Sequence, residues 1–137
     1  MNTLIIGSGF GLYGYLPSLY SFSKKIYLNK KYKNTLYKRK ELKSYLNKVT
    51  WYSSQSKIIS QIDIIVIAKR PQDQFKEIKK LFIKKNKIKH LFLEKPIEVS
   101  PNKSINLINF LHKKKAKYSV GFLFKYFFWF KILEKNK

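Results

Sequence analysis

The apolar positions of the chain fall into six short runs, each bounded by polar or turn-forming residues. Runs that are apolar nearly throughout, rather than alternating with polar residues, are typical of strands buried on both faces of a parallel sheet. The pattern therefore predicts six strands, at residues 3–6, 25–28, 49–52, 63–68, 90–93 and 118–124.

Segments with helical spacing lie between these runs. The apolar stripe of one segment is Phe75, Ile78 and Phe82. In another, Ser100 followed by Pro101 is typical of an N-cap and a first helical position. The apolar residues of that second helix are Ile105, Ile108 and Leu111. Alternation of strand and helix predicts an α/β domain with about five helices, a doubly wound parallel sheet and three α/β/α layers.

Composition narrows the chemistry available to the chain. Its 137 residues suit one compact domain, and 45% of them are hydrophobic, which is enough for a packed core. The chain has no Cys, which excludes disulfides, thiolate nucleophiles and zinc knuckles. With only His90 and His112 as imidazoles, both expected to be structural, we predict no metal site.

The net charge of +23 raises the question of a polyanionic partner. Only Arg39 and Arg70 are arginines, whereas base and phosphate recognition favour the planar fork of Arg over Lys. An excess of Lys together with Ile, Asn, Tyr and Phe is also what an AT-rich coding sequence produces. We therefore favour a compositional origin, and a basic nucleic-acid-binding module remains the alternative.

Nothing in the sequence predicts a membrane location. No apolar stretch reaches the roughly 18 to 20 residues of a membrane span, and the start of the chain lacks the basic segment of a signal peptide. We expect a cytoplasmic protein.

A glycine-rich loop directly follows the first predicted strand. Its residues are Gly7, Ser8, Gly9, Phe10 and Gly11. Dinucleotide-binding folds place glycines at this point, for a tight turn, for close approach of backbone to a pyrophosphate and for helix packing. Two registers are open, of which we favour the first because Gly7 follows the strand: Gly7, Gly9 and Leu12, or Gly9, Gly11 and Gly14. The alternative is a tight turn that needs only positive φ.

The second predicted strand leads into Asn29, Lys30 and Lys31. An NAD-binding fold usually carries here an acidic residue that accepts hydrogen bonds from the adenosine ribose. Because that carboxylate is missing, Lys30 or Lys31 could instead pair with a 2′-phosphate. This tilts the choice of cofactor toward NADP, although Lys is common throughout the chain.

Two further strand ends carry candidate chemistry. The fourth strand ends in Ala68 and is followed by Lys69, Arg70 and Pro71, and the fifth leads into Glu94, Lys95 and Pro96. Ligands of open α/β sheets bind outside the carboxyl ends of the strands. A partly desolvated Lys95 oriented by Glu94 could exchange a proton with a substrate hydroxyl. The alternative is a solvated turn fixed by Pro96.

Taken together, the glycine loop, the fourth strand running into Pro71, and the Glu94, Lys95, Pro96 element resemble the nucleotide-binding domain of the glucose–fructose oxidoreductase and inositol dehydrogenase (Gfo/Idh/MocA) family. The resemblance implies a Rossmann domain that binds NADP or NAD, in oxidoreductases acting on a CH–OH group of a sugar or cyclitol. If another chain completes the protein, the expected substrate is a sugar or a nucleotide sugar. It also implies that Lys95 is catalytic, beside the nicotinamide and the reacting hydroxyl. The predicted cofactor-binding residues are Gly7, Ser8, Gly9, Phe10, Gly11, Lys30, Ala68, Arg70, Pro71, Glu94, Lys95 and Pro96.

Members of that family are longer and carry a second domain that contacts substrate. We therefore interpret residues 1–124 as the Rossmann domain and residues 125–137 as the start of a connection, in a truncated or split member that is inactive alone. An exposed apolar face of the last segment, with Phe127, Phe130 and Leu133, would serve an oligomer or partner. A non-catalytic interaction protein with a vestigial nucleotide site is a further alternative.

Overall fold

A computed structural model describes residues 1–83, 88–122 and 127–135. Its strands are β1 (Asn2–Ile6), β2 (Lys25–Asn29), β3 (Val49–Tyr52), β4 (Ile64–Ile67), β5 (His90–Leu93) and β6 (Tyr118–Val120). They form one sheet in the order β3-β2-β1-β4-β5-β6, and all neighbouring pairs are parallel. The predicted α/β fold with a doubly wound parallel sheet is confirmed.

Helices make the crossovers between most of these strands. The α-helices of the described residues are α1 (Leu16–Tyr20), α2 (Lys33–Lys38), α3 (Pro71–Leu81), α4 (Pro101–Lys113) and α5 (Phe128–Lys135). A π-helical stretch, Gly11–Tyr15, leads directly into α1. 3₁₀ segments complete the connections on either side of β3, the longest being Lys40–Lys48.

The sheet is buried on both faces, which explains the continuous apolar runs. Successive side chains of a strand point to opposite faces. Leu4 of β1 therefore joins a core with Ile78 of α3 and Leu107 of α4, whereas Ile5 joins a second core with Leu16 of α1. Each of these side chains is fully buried, which contributes about 1.5–3 kcal/mol apiece. The loops at the carboxyl ends of the strands are left to form a site.

The sixth strand is shorter than predicted. β6 ends at Val120 because Gly121 N donates the last bond of the ladder to Leu93 O at 2.9 Å, and Phe122 N then turns back to Val120 O at 2.8 Å. The remaining predicted strand positions, 123 and 124, lie outside the described residues, as does the predicted domain boundary between 124 and 125.

The start of α4 confirms its predicted cap, since Ser100 Oγ accepts from Lys103 N and Pro101 is the first helical residue. The predicted apolar stripe is wrong at Ile105, which is 53% exposed. Successive helical residues are rotated by about 100°, so Ile105 lies on the opposite side of the helix from the fully buried Leu107.

The last segment exposes apolar side chains. Phe127 and Leu133 are each about half exposed, as predicted, whereas Phe130 is half-buried. Phe128 is 79% exposed. Among the described residues, no helix combines the length and apolar character needed to cross a membrane.

Candidate functional site

The three glycines of the loop after β1 have different surroundings. Gly7 has φ +141°, and a Cβ there would lie 2.0 Å from the carbonyl oxygen of Ala68. A Cβ at Gly11 would lie 3.2 Å from Ile5 Cγ2, whereas a Cβ at Gly9 would meet nothing within 4 Å. Gly7 and Gly11 therefore let the loop and the following helix pack closely on the sheet, and Gly9 leaves open space on the outer side.

This arrangement bears on the two registers of the glycine pattern. Gly11 lies where the helix contacts the sheet. Gly14 instead faces the ring of Phe10, and a Cβ at Gly14 would lie 2.5 Å from Phe10 Cζ. The earliest backbone bonds of the helix are donated to Gly9 O, by Leu12 N at 2.9 Å and by Tyr13 N at 3.3 Å. Amides that precede Leu12 therefore stand ahead of the helical ladder, at the partly positive end of the helix.

A cleft of about 410 Å³ opens at the carboxyl edge of the sheet, and we call it the edge cleft. Its lining comes from the glycine loop, the segment after β4 and the end of β5: Ser8, Gly9, Phe10, Ala68, Lys69, Arg70, Asp73 and Glu94. Lys69 and Asp73 were not predicted as site residues. Both are close in sequence to the predicted residue Arg70, and this closeness is the signal that could have identified them. In the structure, Arg70 Nε lies 3.3 Å from Asp73 Oδ2.

The other predicted site residues are not among those that line the edge cleft. Gly7 and Gly11 are the loop residues that pack against Ala68 and Ile5, and Pro71 is the first residue of α3. Lys95 and Pro96 are exposed and directly follow Glu94. Lys30 lies at the end of β2, in a short 3₁₀ turn. The structure therefore brings the loop, the end of β4 and Glu94 together. Lys30 lies at the same carboxyl edge of the sheet, after the neighbouring parallel strand, but does not line the cleft.

The Glu94, Lys95, Pro96 corner is braced by a residue that the sequence did not reveal. Gln74 of α3 is fully buried, and its Nε2 donates to Glu94 O at 2.7 Å and to Pro96 O at 2.9 Å. The Lys95–Pro96 peptide bond between these carbonyls is cis. One buried amide thus holds both sides of the corner, and no sequence signal marks Gln74 for this role.

Tyr15 approaches the same corner from the helix of the glycine loop. Burial raises the pKa of its phenol well above the ordinary value, and a hydrogen bond with Glu94 and the charge of that carboxylate raise it further. Glu94 Oε2 is itself buried and lacks a hydrogen bond of standard geometry in the described part of the chain.

The end of β2 differs from an acidic ribose site. Asn29 Oδ1 accepts from Lys31 N at 3.0 Å, and the Asn29 side chain lies close enough to the Tyr52 hydroxyl to act on its pKa. Burial raises the pKa of Tyr52 to about 12. Tyr32, also buried, contacts the Gly7 backbone with its hydroxyl. Asn29 is therefore engaged inside the protein, while Lys30 remains exposed.

Both histidines make local contacts away from the edge cleft. His90 is the first residue of β5, and its Nε2 lies 3.0 Å from Ser119 Oγ. His112, near the end of α4, lies 3.3 Å from the Tyr118 hydroxyl. Within residues 1–83, 88–122 and 127–135, no three His, Asp or Glu side chains lie together in a way that could hold a metal ion.

Comparisons with known proteins agree with this architecture. Residues 1–122 match the profile of the GFO_IDH_MocA oxidoreductase family, described as an NAD-binding Rossmann fold. A comparison of the sequence with curated proteins found no match.

Solved structures share the fold at low identity. UDP-N-acetylglucosamine 3-dehydrogenase GnnA from Acidithiobacillus ferrooxidans matches with a TM-score of 0.71 and 15% identity, over 99% of this chain and 43% of that chain. A probable dehydrogenase from Thermotoga maritima matches with a TM-score of 0.69 and 16% identity, over 98% and 40%. A super-repressor mutant of Gal80p from Saccharomyces cerevisiae matches with a TM-score of 0.65 and 18% identity, over 88% and 34%.

The chain thus spans less than half the length of these structures. The family match covers most of the chain, and the strand order is the one that doubly wound dinucleotide-binding sheets use. The chain belongs to the Gfo/Idh/MocA oxidoreductase family, and residues 1–122 are its NAD-binding Rossmann domain.

Proposed function

We propose that this chain binds NADP or NAD in the edge cleft, as the nucleotide-binding part of an oxidoreductase acting on a CH–OH group of a sugar or cyclitol. The observation that carries the proposal is the meeting of Gly9 and Glu94 in one cleft at the carboxyl edge of the sheet. Family membership supplies the class of cofactor. The substrate class is proposed in addition to what family membership supplies.

The residues present suit a dinucleotide. The open space at Gly9 admits close approach of a diphosphate to the backbone, and the helix that follows offers amides at its positive end. Lys69 and Arg70 add positive charge to the cleft lining. On the far side, Glu94 can accept a hydrogen bond from a ligand hydroxyl or amide group. The dinucleotide, when bound, supplies hydride transfer.

Lys95 is the residue we propose for proton transfer. It directly follows Glu94, and the two carbonyls that Gln74 holds lie on either side of it. An amine at this position can exchange a proton with the hydroxyl or carbonyl oxygen of the reacting carbon.

The substrate-binding part is proposed to come from protein beyond this domain. The chain covers 43% of the GnnA structure. We propose that the domain is inactive without a substrate-binding part, and that another chain can supply this part. Since GnnA is named as a dehydrogenase of a UDP-linked sugar, nucleotide sugars join sugars and cyclitols as candidate substrates.

Between the two cofactors, we propose a preference for NADP. The end of β2 carries Asn29, whose side chain is engaged by Lys31 N and Tyr52, in place of a carboxylate that would repel a 2′-phosphate. Lys30 is exposed beside it and can pair with that phosphate.

Isothermal titration of the whole chain with NADP⁺ and NAD⁺, at about 0.15 M salt, tests the proposal. Because the chain is strongly basic, inorganic pyrophosphate serves as a control for adventitious anion binding. We expect one dinucleotide per chain and weaker binding of pyrophosphate. Absence of binding for both dinucleotides, or equal binding of pyrophosphate with a steep salt dependence, would overturn the proposal.

The role of Lys95 is tested by Lys95→Ala in the chain assayed together with its substrate-binding part. We expect kcat to fall by about 100-fold or more, with the dinucleotide Kd changed by less than about threefold, because general acid–base catalysis contributes about 10²–10⁴-fold. Lys103→Ala, on the exposed surface of α4, is the control. Unchanged turnover in Lys95→Ala would remove Lys95 from the mechanism.

A second candidate function is a non-catalytic protein that retains the nucleotide site and acts through a partner. Two observations favour it: the fold is shared with a super-repressor mutant of Gal80p, and Phe128 of α5 is largely exposed. This candidate predicts dinucleotide binding with no oxidation or reduction of any hydroxyl substrate. Turnover by the completed protein, followed through absorbance of the reduced nicotinamide, would exclude it.

A further inference from the structure

We propose that Tyr15 is a positioning residue that holds the Glu94 carboxylate from behind, so that Glu94 can accept a hydrogen bond from the nicotinamide half of a dinucleotide in the edge cleft. The inference rests on the proposed function. It adds a residue of the glycine-loop helix to the part of the site formed at the end of β5.

The first argument is the environment of Glu94. Glu94 is one of the residues that line the edge cleft, and its Oε2 is buried with no hydrogen bond of standard geometry among the described residues. A buried carboxylate oxygen without a donor is costly. The Tyr15 hydroxyl and Glu94 Oε2 lie beside the same point, 2.6 Å and 3.6 Å from the Cβ position of Gly121, and the neighbouring carboxylate raises the pKa of the phenol. The phenol is therefore the group positioned to support this carboxylate from the interior.

The second argument is the space left by Gly121. A Cβ at residue 121 would lie 2.6 Å from the Tyr15 hydroxyl oxygen and 3.6 Å from Glu94 Oε2. Gly121 is held in place because its N–H donates to Leu93 O at 2.9 Å. The lack of a side chain at the end of β6 therefore lets the Tyr15 hydroxyl reach the carboxylate.

The third argument is the location of the Tyr15 ring. It packs edge-on against Phe10, with centroids 5.3 Å apart and planes at 82°. Phe10 lines the edge cleft, and both rings also line an apolar cavity of about 230 Å³ with Phe92 of β5. Tyr15 thus connects the glycine loop, which approaches the diphosphate, with Glu94 at the other end of the cleft.

Burial and the neighbouring carboxylate raise the pKa of Tyr15. The phenol therefore stays protonated through the neutral pH range and remains a hydrogen-bond donor.

A double-mutant cycle of Tyr15→Phe and Glu94→Gln tests the inference, with NADP⁺ affinity as the readout. We expect Tyr15→Phe to weaken binding about five- to tenfold when Glu94 is present, and to cause no further loss in the Glu94→Gln background. ADP, which lacks the nicotinamide riboside, should bind to wild type and Tyr15→Phe alike. Tyr13→Phe removes a hydroxyl from an exposed tyrosine of the same helix and should change neither affinity.

A second pair of variants tests the geometry without any ligand. Gly121→Ala should lower the free energy of unfolding, because its Cβ collides with the Tyr15 hydroxyl. Adding Tyr15→Phe should recover most of that loss, since the hydroxyl oxygen is the atom in the way. If Tyr15→Phe restores none of the stability that Gly121→Ala loses, the contact between residue 121 and the Tyr15 hydroxyl is contradicted.

The outcomes separate the two proposals. A wild-type chain that binds neither dinucleotide overturns the proposed function, and the inference falls with it. A wild-type chain that binds, with additive losses in the cycle or equal losses for ADP, overturns the inference alone.

Discussion

The glycine loop and the Glu94 corner lie on the same edge of the sheet but are built in opposite ways. The loop depends on absent side chains: Gly7 and Gly11 fit against Ala68 and Ile5, and Gly9 opens outward. The corner depends on side chains that are present, since Gln74 Nε2 bonds to its carbonyls. In the first region the requirement is for space beside Ala68 and Ile5, whereas in the second it is for a hydrogen-bond donor from a helix twenty residues earlier.

This difference predicts how each region responds to substitution. Within the loop, adding atoms should be harmful, and the damage should depend on which way the position faces. At the corner, removing polar atoms should be harmful, because buried carbonyls lose their donor.

The largest expected effect is that of Gly7→Ala on stability. The added Cβ would lie 2.0 Å from Ala68 O at a φ of +141°, so strain and overlap together should cost about 3 kcal/mol or more. Urea unfolding measures this, with Gly9→Ala as the matched control, which should stay within about 0.5 kcal/mol of wild type. Equal losses for both variants would remove the distinction between the glycines.

Gly9→Val should separate binding from folding. No atom lies within 4 Å of its Cβ position, so the free energy of unfolding should change little. The branched side chain should block a diphosphate and raise the NADP⁺ Kd by about 100-fold, or about 2.7 kcal/mol. An unchanged affinity in titration calorimetry would show that the loop is not the site.

Gln74→Met should lower the free energy of unfolding by about 2 kcal/mol, because the carbonyls of Glu94 and Pro96 would lose a buried donor. It should also weaken dinucleotide binding by displacing Glu94. The matched control is Gln72→Met, an exposed glutamine of the same helix. If both variants unfold at the wild-type urea concentration, Gln74 does not brace the corner.

Lys30→Ala should weaken NADP⁺ binding by about tenfold, or about 1.4 kcal/mol, and leave NAD⁺ binding unchanged. Lys25→Ala is the control, because it removes the same charge at the opposite end of β2. A parallel loss for both cofactors would indicate a general charge effect rather than recognition of a 2′-phosphate.

The smallest effect concerns Asp63, which lies at the amino edge of the sheet, away from both regions. Hydrogen bonds from Lys89 and from the Asn2 backbone lower the pKa of its carboxyl. A lowered folded-state pKa contributes stability above the unfolded-state value that is lost as the pH falls through the folded-state value. Asp63→Asn should therefore be slightly less stable at neutral pH, and the difference should vanish in acid, as thermal unfolding at several pH values would show.

Much of the fold was predictable because its signals are local. The β3 and β5 bounds agree with the apolar runs, and the Ser100 cap is a short-range hydrogen bond. The end of β6 and the exposure of Ile105 were predicted wrongly. In the first case Phe122 is exposed and bonds back to Val120 instead of continuing the strand. In the second, the rotation of the helix places Ile105 away from the core.

The candidate site divides in the same way. Gly7, Gly9 and Glu94 were identifiable because each lies just beyond a strand end or within the turn after it. Tyr15, Gln74 and Gly121 were not, since their roles depend on contacts with residues 20 or more positions away. No spacing in the sequence encodes such a contact.

The amino-acid sequence alone determined the alternation of strands and helices and the positions of the glycine turn and the Glu94, Lys95, Pro96 element, because backbone preference and apolar spacing act over a few residues. Only the tertiary structure decided which glycine faces open space and which side chains brace Glu94. Those properties arise when parallel strands bring the ends of β1, β4, β5 and β6 to one edge, where contacts form between segments distant in the chain.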